Sequence, residues 1–206
     1  MQRDSNWFQM RLGKITASEV HKIMGARGLG KTGETYIFDK VAEILTGEVA
    51  YIPENTAMQW GIDHEPIAKE YYQKAFKENI KDIDFLKSSK FPNDVGASPD
   101  GIVENVRGLE IKCPYNSSNH AKYMTLESPE HLLKMEPKYY WQIQLNLFCS
   151  DLDFWRFISF DPRFKGKQRM FILDIPKEAV KMAEIESRLI EAINLKEKVL
   201  TTINNL

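Results

Sequence analysis

The segment SPDGIVENVRGLEIKCP carries residue types and a spacing that suit a divalent metal. Nine residues separate Asp100 from Glu110, and one residue separates Glu110 from Lys112. Residues two apart on a strand point to the same face, so Glu110 and Lys112 project together. A turn from Asn105 to Gly108 would bring Asp100 beside them. Because Mg²⁺ prefers oxygen ligands and keeps waters and substrate phosphates in its shell, the segment predicts a magnesium site.

Phosphodiester hydrolysis needs a site of this kind. Two metal ions about 3.5–4 Å apart can activate the attacking water and stabilise the leaving oxygen. Lys112 would orient or help to deprotonate that water and offset developing charge. An exposed hairpin with clustered charges is the alternative, but apolar Leu109, Ile111 and Cys113 indicate that the other strand face is buried. We therefore predict a nuclease.

A second motif, GARGLGKT, fits the phosphate-loop pattern G-x-x-x-x-G-K-[ST]. A working phosphate loop follows a buried strand that aims it at the phosphates, whereas the preceding ASEVHKIM looks helical. The capping-box letters TASE predict that Thr16 caps a helix through about Met24, followed by a glycine-rich basic loop over residues 25–33. This helical context indicates that the match to the phosphate-loop pattern is accidental. A nucleotide kinase or ATPase using Gly25–Thr32 stays the main alternative.

Composition is that of an ordinary globular chain. The 206 residues are 43% hydrophobic and 28% charged, with a net charge of −1, so any DNA binding must use local basic patches. The two cysteines lack metal-ligand spacing, no apolar run is long enough for a membrane, and MQRDSNWFQM has no signal-peptide core. These features favour a cytoplasmic protein.

Helix-like and strand-like patterns alternate along the chain. Helices are predicted over about 34–47, 56–76, 118–134 and 137–149 and at the C-terminus, and strands in IDFLKSS, DVGASPD, GIVEN, LEIKCP, DFWRFISF and RMFILDI. This order predicts an α/β fold, with a central mixed β-sheet flanked by helices. We expect residues 1–206 to form a single nuclease domain, with a core over about 7–175 and a C-terminal helix over about 176–206.

Six separated blocks, RLGKITASEVHKI, WGIDHE, SPDG, GLEIKCP, YYWQIQ and FDPR, occur in an order that resembles the phage lambda exonuclease family, YqaJ-like viral recombinases of the PD-(D/E)xK nuclease superfamily. The resemblance implies a restriction-endonuclease-like PD-(D/E)xK core and a homotrimeric ring. It also implies Mg²⁺-dependent 5′→3′ digestion of one strand from double-stranded DNA ends. The remaining 3′ strand would pass to a single-strand annealing protein during phage-type DNA recombination. Two Mg²⁺ ions per active site are expected, with Mn²⁺ as a candidate substitute.

The same resemblance implies roles for individual residues. Those matching the metal-binding and catalytic groups are Asp100, Glu110, Ile111 through its carbonyl, Lys112, Glu65, Tyr139 and Gln142. Glu65 matches an acid on a helix that completes the site, with an i,i+4 pairing to Lys69 as the alternative. Gln142 and Tyr139 match a helix near the scissile phosphate, with an amphipathic helix edge as the alternative.

Arg11 and Ser18 match residues that bind a terminal 5′ phosphate. Arginine offers a bidentate fork for phosphate, and Ser18 would lie in the first turn of a helix whose N-terminus attracts anions. Met58 matches an apolar wedge that separates the terminal base pair, with a core methionine as the alternative.

One position departs from the family pattern. After K-C-P the family has an arginine in the phosphate pocket, whereas this chain has Ser118. Either the phosphate pocket is weaker, or a cation comes from Lys122, His120 or the loop with Arg27 and Lys31. In the last case that loop would contact DNA phosphates rather than a nucleotide. An endonuclease of the same superfamily and a non-catalytic DNA-end-binding module stay as further alternatives.

Overall fold

The computed structural model describes residues 5–49, 53, 55–104 and 106–206. Its α-helices are α1 (Ser5–Arg11), α2 (Gly30–Thr46), α3 (Thr56–Phe76), α4 (Ser117–Tyr123), α5 (Pro129–Met135), α6 (Pro137–Phe148) and α7 (Ala179–Asn204). Its strands are β1 (Ile15–Thr16), β2 (Ile80–Lys81), β3 (Leu86–Lys87), β4 (Val95–Ala97), β5 (Gly101–Val103), β6 (Arg107–Lys112), β7 (Phe154–Phe160) and β8 (Met170–Pro176). Short 3₁₀ helices cover Val20–Ile23 and Gly166–Arg169.

The strands form two sheets. The larger sheet has the order β2-β5-β6-β7-β8, in which only the β6–β7 pair is parallel among the described strands, and the smaller has the order β1-β4-β3. A parallel neighbour requires a crossover connection, and helices α4 to α6 make it between β6 and β7. The predicted α/β fold with a mixed sheet and flanking helices is confirmed.

Strand β6 is buried on both faces. Leu109 and Ile111 pack with Tyr72 of α3, whereas α6 covers the opposite face through residues such as Ile143. Gly108 leaves room for the Trp155 ring of β7, because a Cβ at this position would lie 2.3 Å from that ring. This arrangement places Glu110 in the interior of the molecule, next to α6.

Two local predictions were wrong. Ile15–Thr16 is a strand that pairs in parallel with Val95 and Gly96, so Thr16 does not cap a helix, and only a 3₁₀ turn follows. The helix predicted over 118–134 is two helices, because Pro129 starts α5 with Ser128 as its N-cap. The turn predicted in the β5–β6 hairpin includes Asn105, which lies outside the described residues, as do residues 1–4 of the predicted N-terminal segment.

The phosphate-loop motif lies in the wrong context for nucleotide binding. A 3₁₀ helix rather than a buried strand precedes it, and α2 already begins at Gly30 within the predicted loop. Arg188 of α7 donates to the carbonyl oxygen of Gly25 at 2.9 Å, and the Leu29 N–H points to a Glu191 carboxylate oxygen at 3.5 Å. A carboxylate facing this backbone would repel a phosphate, so the loop is a packing element against α7.

No helix in the described part of the chain is long and apolar enough to cross a lipid bilayer.

Candidate active site

The β5–β6 hairpin brings the three predicted chemical residues together. Its register pairs Gly101 with Leu109, so Asp100, just before β5, lies beside Glu110. The backbone N–H of Ile111 donates to Asp100 Oδ2 at 2.6 Å. Glu110 and Lys112 leave β6 on the same face, and Lys112 Nζ donates to Glu110 Oε1 at 2.5 Å.

Glu110 is fully buried and its carboxylate is held from three sides. Besides Lys112, Gln142 of α6 donates from Nε2 to Oε1 at 2.7 Å, and Asn146, one turn later, donates from Nδ2 to Oε2 at 3.1 Å. Buried charges require such partners, since an unpaired ion in the interior is strongly destabilising. The side chain is therefore fixed in direction and paired with a cation.

The charges in this cluster perturb each other. Burial raises the pKa of Asp100 well above its usual range, and the nearby charges of Glu110 and Glu65 raise it further. Burial alone would lower the pKa of Lys112, but the charges of Glu110 and Asp100 outweigh it and raise the pKa of this ammonium. Asp100 and Glu110, with Glu65 nearby, thus share a single close cation, Lys112.

Two further predicted residues border this pocket. Tyr139, at the start of α6, places its ring centroid 4.9 Å from Lys112 Nζ, a cation–π contact. Glu65 of α3 forms an ion pair with Lys69 Nζ at 3.0 Å. This is the i,i+4 pairing that the sequence analysis gave as the alternative to a role in the site. The charge of Glu65 nevertheless acts on Asp100, so it lies close to the pocket.

The donor set suits a hard divalent cation. Within the described residues no three His, Cys, Asp or Glu side chains gather as a metal-binding group. Asp100, which is partly buried, and Glu110, which is fully buried, nevertheless supply two carboxylate groups side by side. Mg²⁺ commonly needs only one or two carboxylates, with waters and substrate phosphates completing its shell. The residues therefore fit Mg²⁺, with the Ile111 carbonyl as a predicted further ligand.

A second polar cluster surrounds Arg11 at the end of α1. The guanidinium donates to Ser18 Oγ at 2.8 Å, to Thr16 Oγ1 at 3.1 Å and to Ser98 Oγ at 3.3 Å. The predicted helix N-terminus at Ser18 was wrong, since Ser18 lies in a turn after β1. The structure still brings Arg11 and Ser18 together, through β1 and its neighbour β4 rather than through a helix. We call this the Arg11 cluster.

The Arg11 cluster is anchored by buried charges next to it. Glu43 of α2 accepts from the Gly13 N–H at 2.9 Å, and Lys196 of α7 donates to the Gly13 carbonyl oxygen at 3.1 Å. Each of these side chains has an ionic partner, Lys40 at 2.6 Å for Glu43 and Asp94 at 2.6 Å for Lys196. Gly13 itself has a φ of +66°, a conformation that favours glycine. Both helices thus fix the turn that follows Arg11.

Four other residues singled out in the sequence are exposed or half-buried. Met58 is half-buried in the first turn of α3. Arg27 and Lys31 are exposed, in the loop before α2 and in its first turn. Ser118 is exposed too.

The two side chains proposed to replace the missing arginine differ in their availability. Lys122 is exposed. His120 is fully buried, with Nδ1 2.7 Å from Ser159 Oγ and Nε2 2.8 Å from the Gln168 carbonyl oxygen. His120 therefore cannot supply the cation, because both ring nitrogens are already bonded inside the fold.

Sequence reasoning missed three side chains in these clusters: Asn146, Ser98 and Thr16. The helical spacing of Gln142 and Asn146, four residues apart, was a usable signal for the first. Ser98 stands only two residues before Asp100 in the SPD block, so the Arg11 cluster adjoins the carboxylate pocket along the chain.

Comparison with known proteins identifies similar folds and a family. No curated protein matches the sequence. The fold is similar to the crystal structure of an alkaline exonuclease, LHK-Exo, from Laribacter hongkongensis, with a TM-score of 0.85, 27% identity and coverage of 98% of this chain and 97% of that one. The complex of LHK-Exo with dAMP gives a TM-score of 0.84 at the same identity and coverage.

A phage-related exonuclease from Haemophilus somnus 129PT shares the fold, with a TM-score of 0.75, 16% identity and coverage of 92% of this chain and 96% of that one. The model of the YqaJ-like viral recombinase domain matches residues 6–153, which include Arg11, Asp100, Glu110, Lys112 and Gln142. This match confirms the resemblance stated above, and the chain belongs to the YqaJ-like viral recombinase domain family.

Proposed function

We propose that this protein is a Mg²⁺-dependent exonuclease that digests one strand of double-stranded DNA from its 5′ end. The observation that carries the proposal is the convergence of Asp100, Glu110 and Lys112 on one hairpin, with Gln142 bonded to the same carboxylate. Family membership and the likeness to LHK-Exo support nuclease action on DNA. The product would be a 3′ single strand for an annealing protein.

The residues divide the chemistry between them. Asp100, Glu110 and the Ile111 carbonyl would hold Mg²⁺, which when bound supplies charge neutralisation and a more acidic water. Lys112, a cation beside the carboxylates, would orient the attacking water and offset negative charge on the phosphate. Tyr139 and Gln142 keep Lys112 and Glu110 in place by the contacts described above.

The Arg11 cluster supports the preference for a 5′ end. A guanidinium surrounded by the hydroxyl groups of Thr16, Ser18 and Ser98 presents several hydrogen-bonding groups to a terminal phosphate. Because Ser98 leads directly into Asp100, a phosphate bound there would set the distance from the strand end to the scissile bond. Met58, Glu65, Arg27 and Lys31 are proposed as further contributors to DNA binding or catalysis.

The experiment that tests the proposal follows linear duplex DNA labelled at either the 5′ or the 3′ end. With Mg²⁺ we expect early release of the 5′ label, retention of the 3′ label on the single-stranded product, and no reaction in EDTA. Early release of the 3′ label would overturn the polarity. Cleavage of a covalently closed circle would instead indicate an endonuclease.

Lys112→Ala tests the assignment of the lysine. We expect it to abolish digestion, a loss of at least about 10²-fold for removing a transition-state cation, while binding to duplex DNA in a gel-shift assay is retained. Digestion at the parental rate by Lys112→Ala would show that the pocket is not the active site.

A further inference from the structure

Asn146 lies one helical turn after Gln142 on α6 and faces the same buried carboxylate. Its Nδ2 donates to Glu110 Oε2 at 3.1 Å, whereas Gln142 and Lys112 both donate to Oε1. Residues four apart share a helix face, which explains how one helix reaches both oxygens. In the described part of the chain, Asn146 is the only hydrogen-bond donor to Oε2.

An asparagine is energetically unfavourable at this buried position. Asn146 is fully buried, and its Oδ1 has no hydrogen-bond partner among the described residues. The amide cannot turn round to relieve this, because an ionised carboxylate only accepts hydrogen bonds and Nδ2 must face it. An unpaired buried acceptor destabilises the folded state. Packing alone would favour a leucine of similar size here, so the amide has another role.

We infer that Asn146 is a positioning residue of the proposed metal site, which fixes the rotation of the Glu110 carboxylate. With both donors on Oε1 alone, the carboxylate could rotate about its Cγ–Cδ bond. The bond from Asn146 to Oε2 stops this rotation and sets the direction in which the carboxylate presents its lone pairs to a divalent cation. Hydrogen-bond partners of metal ligands typically account for 10- to 100-fold in metal affinity.

The same helix supplies a matched control. Gln144 is also fully buried, donates from Nε2 to the Pro176 carbonyl oxygen at 3.2 Å, and likewise has an Oε1 without a partner in the described residues. It points away from Glu110 because it is two residues from Gln142 and from Asn146. Gln144→Leu therefore removes a comparable buried amide without touching the carboxylate pocket.

The test measures metal binding without DNA, because the inference rests on the proposed function but must be able to fail separately. Metal-free protein is titrated with Mg²⁺, and in parallel with Mn²⁺, and the rise in melting temperature gives the dissociation constant. Wild type, Asn146→Leu, Asn146→Ala and Gln144→Leu are compared, with Asp100→Asn as the variant that lacks a proposed ligand. Asn146→Ala is included because alanine suits a helix and leaves only a small void.

We expect both Asn146 variants to bind metal 10- to 100-fold more weakly, and Gln144→Leu to bind like wild type. Unchanged affinity in a folded Asn146 variant, or an equal loss in Gln144→Leu, would overturn the inference. The inference would also be overturned if Asp100→Asn showed the same metal-dependent rise in melting temperature as wild type, because the metal would then bind elsewhere. If wild type binds metal through Asn146 but does not digest linear duplex, the exonuclease proposal fails and the role of Asn146 stands.

Discussion

At the scale of single residues, Arg11 connects three separate segments of the chain. Its guanidinium reaches hydroxyl groups on β1, on the turn after β1 and on the loop after β4, and it also lies 4.4 Å from the centroid of the Trp7 ring. A planar fork can serve several acceptors at fixed angles, whereas an ammonium acts as a point charge. The planar shape of the arginine side chain therefore matters at this position as well as its charge.

Arg11→Lys should separate these two contributions. We expect kcat/KM on 5′-phosphorylated ends to fall about tenfold to a hundredfold, because hydrogen bonds to a charged group contribute about 1.5–3 kcal/mol. The measurement compares the same duplex with 5′-phosphate and 5′-hydroxyl ends. The hydroxyl substrate serves as the control and should change little, and an equal loss on both substrates would contradict a phosphate-binding role.

The residue types of the carboxylate pocket were predictable, but not their full set of partners. Strand periodicity places Glu110 and Lys112 on one face, and the hairpin turn adds Asp100. The relative positions of these three side chains were predictable because they follow from a short continuous segment of the chain. Asn146 depends on how α6 crosses the sheet, and Ser98 depends on β1 pairing with β4. Both are contacts between distant segments. The spacing of four residues from Gln142 was a local signal for Asn146, but no local pattern indicated Ser98.

At the scale of elements, the strand β1 shows why local patterns can mislead. The letters TASE fit a capping box, and a helix was the better local prediction. The two-residue strand instead gains its bonds from β4, about 80 residues away in sequence, and Tyr36 of α2 accepts from the Thr16 N–H at 3.2 Å. Helix α3, with Pro66 inside it, followed its sequence pattern because its apolar residues repeat over a long segment.

The anchoring of Gly13 by α2 and α7 allows a prediction at this scale. Lys196→Met should lower the free energy of unfolding by about 1–3 kcal/mol, because the Gly13 carbonyl oxygen loses its buried donor. Asp94 also loses its ionic partner. Urea denaturation followed by circular dichroism measures the change.

Lys198→Met is the matched control for that experiment, since Lys198 is exposed on the same helix. Its effect should stay within about 0.5 kcal/mol. If the two variants are equally stable, the contact between Lys196 and Gly13 does not stabilise the fold.

At the scale of the whole molecule, charge is nearly balanced, with 28 basic and 29 acidic side chains. A chain of this charge does not attract DNA over its whole surface. A ring could concentrate its basic residues in a channel and hold DNA by enclosure, which is the arrangement that the family resemblance implies. Efficient digestion would then depend on topology more than on affinity.

Two measurements test the ring. Light scattering should give a mass three times that of the 23.9 kDa chain. In a trap assay, excess unlabelled duplex added after the start should leave the ongoing digestion of labelled DNA unaffected, since an enclosed strand does not exchange. A monomeric mass together with immediate arrest by the trap would exclude the ring.

The link between Lys196 and Gly13 also makes the turn beside Arg11 depend on the docking of α7. The two partners stand 183 positions apart in the sequence, so forming this contact carries the entropy cost of closing a long loop. Undocking of α7 would free the turn at Gly13 while the β5–β6 hairpin stays paired. The Arg11 cluster would therefore loosen before the carboxylate pocket does.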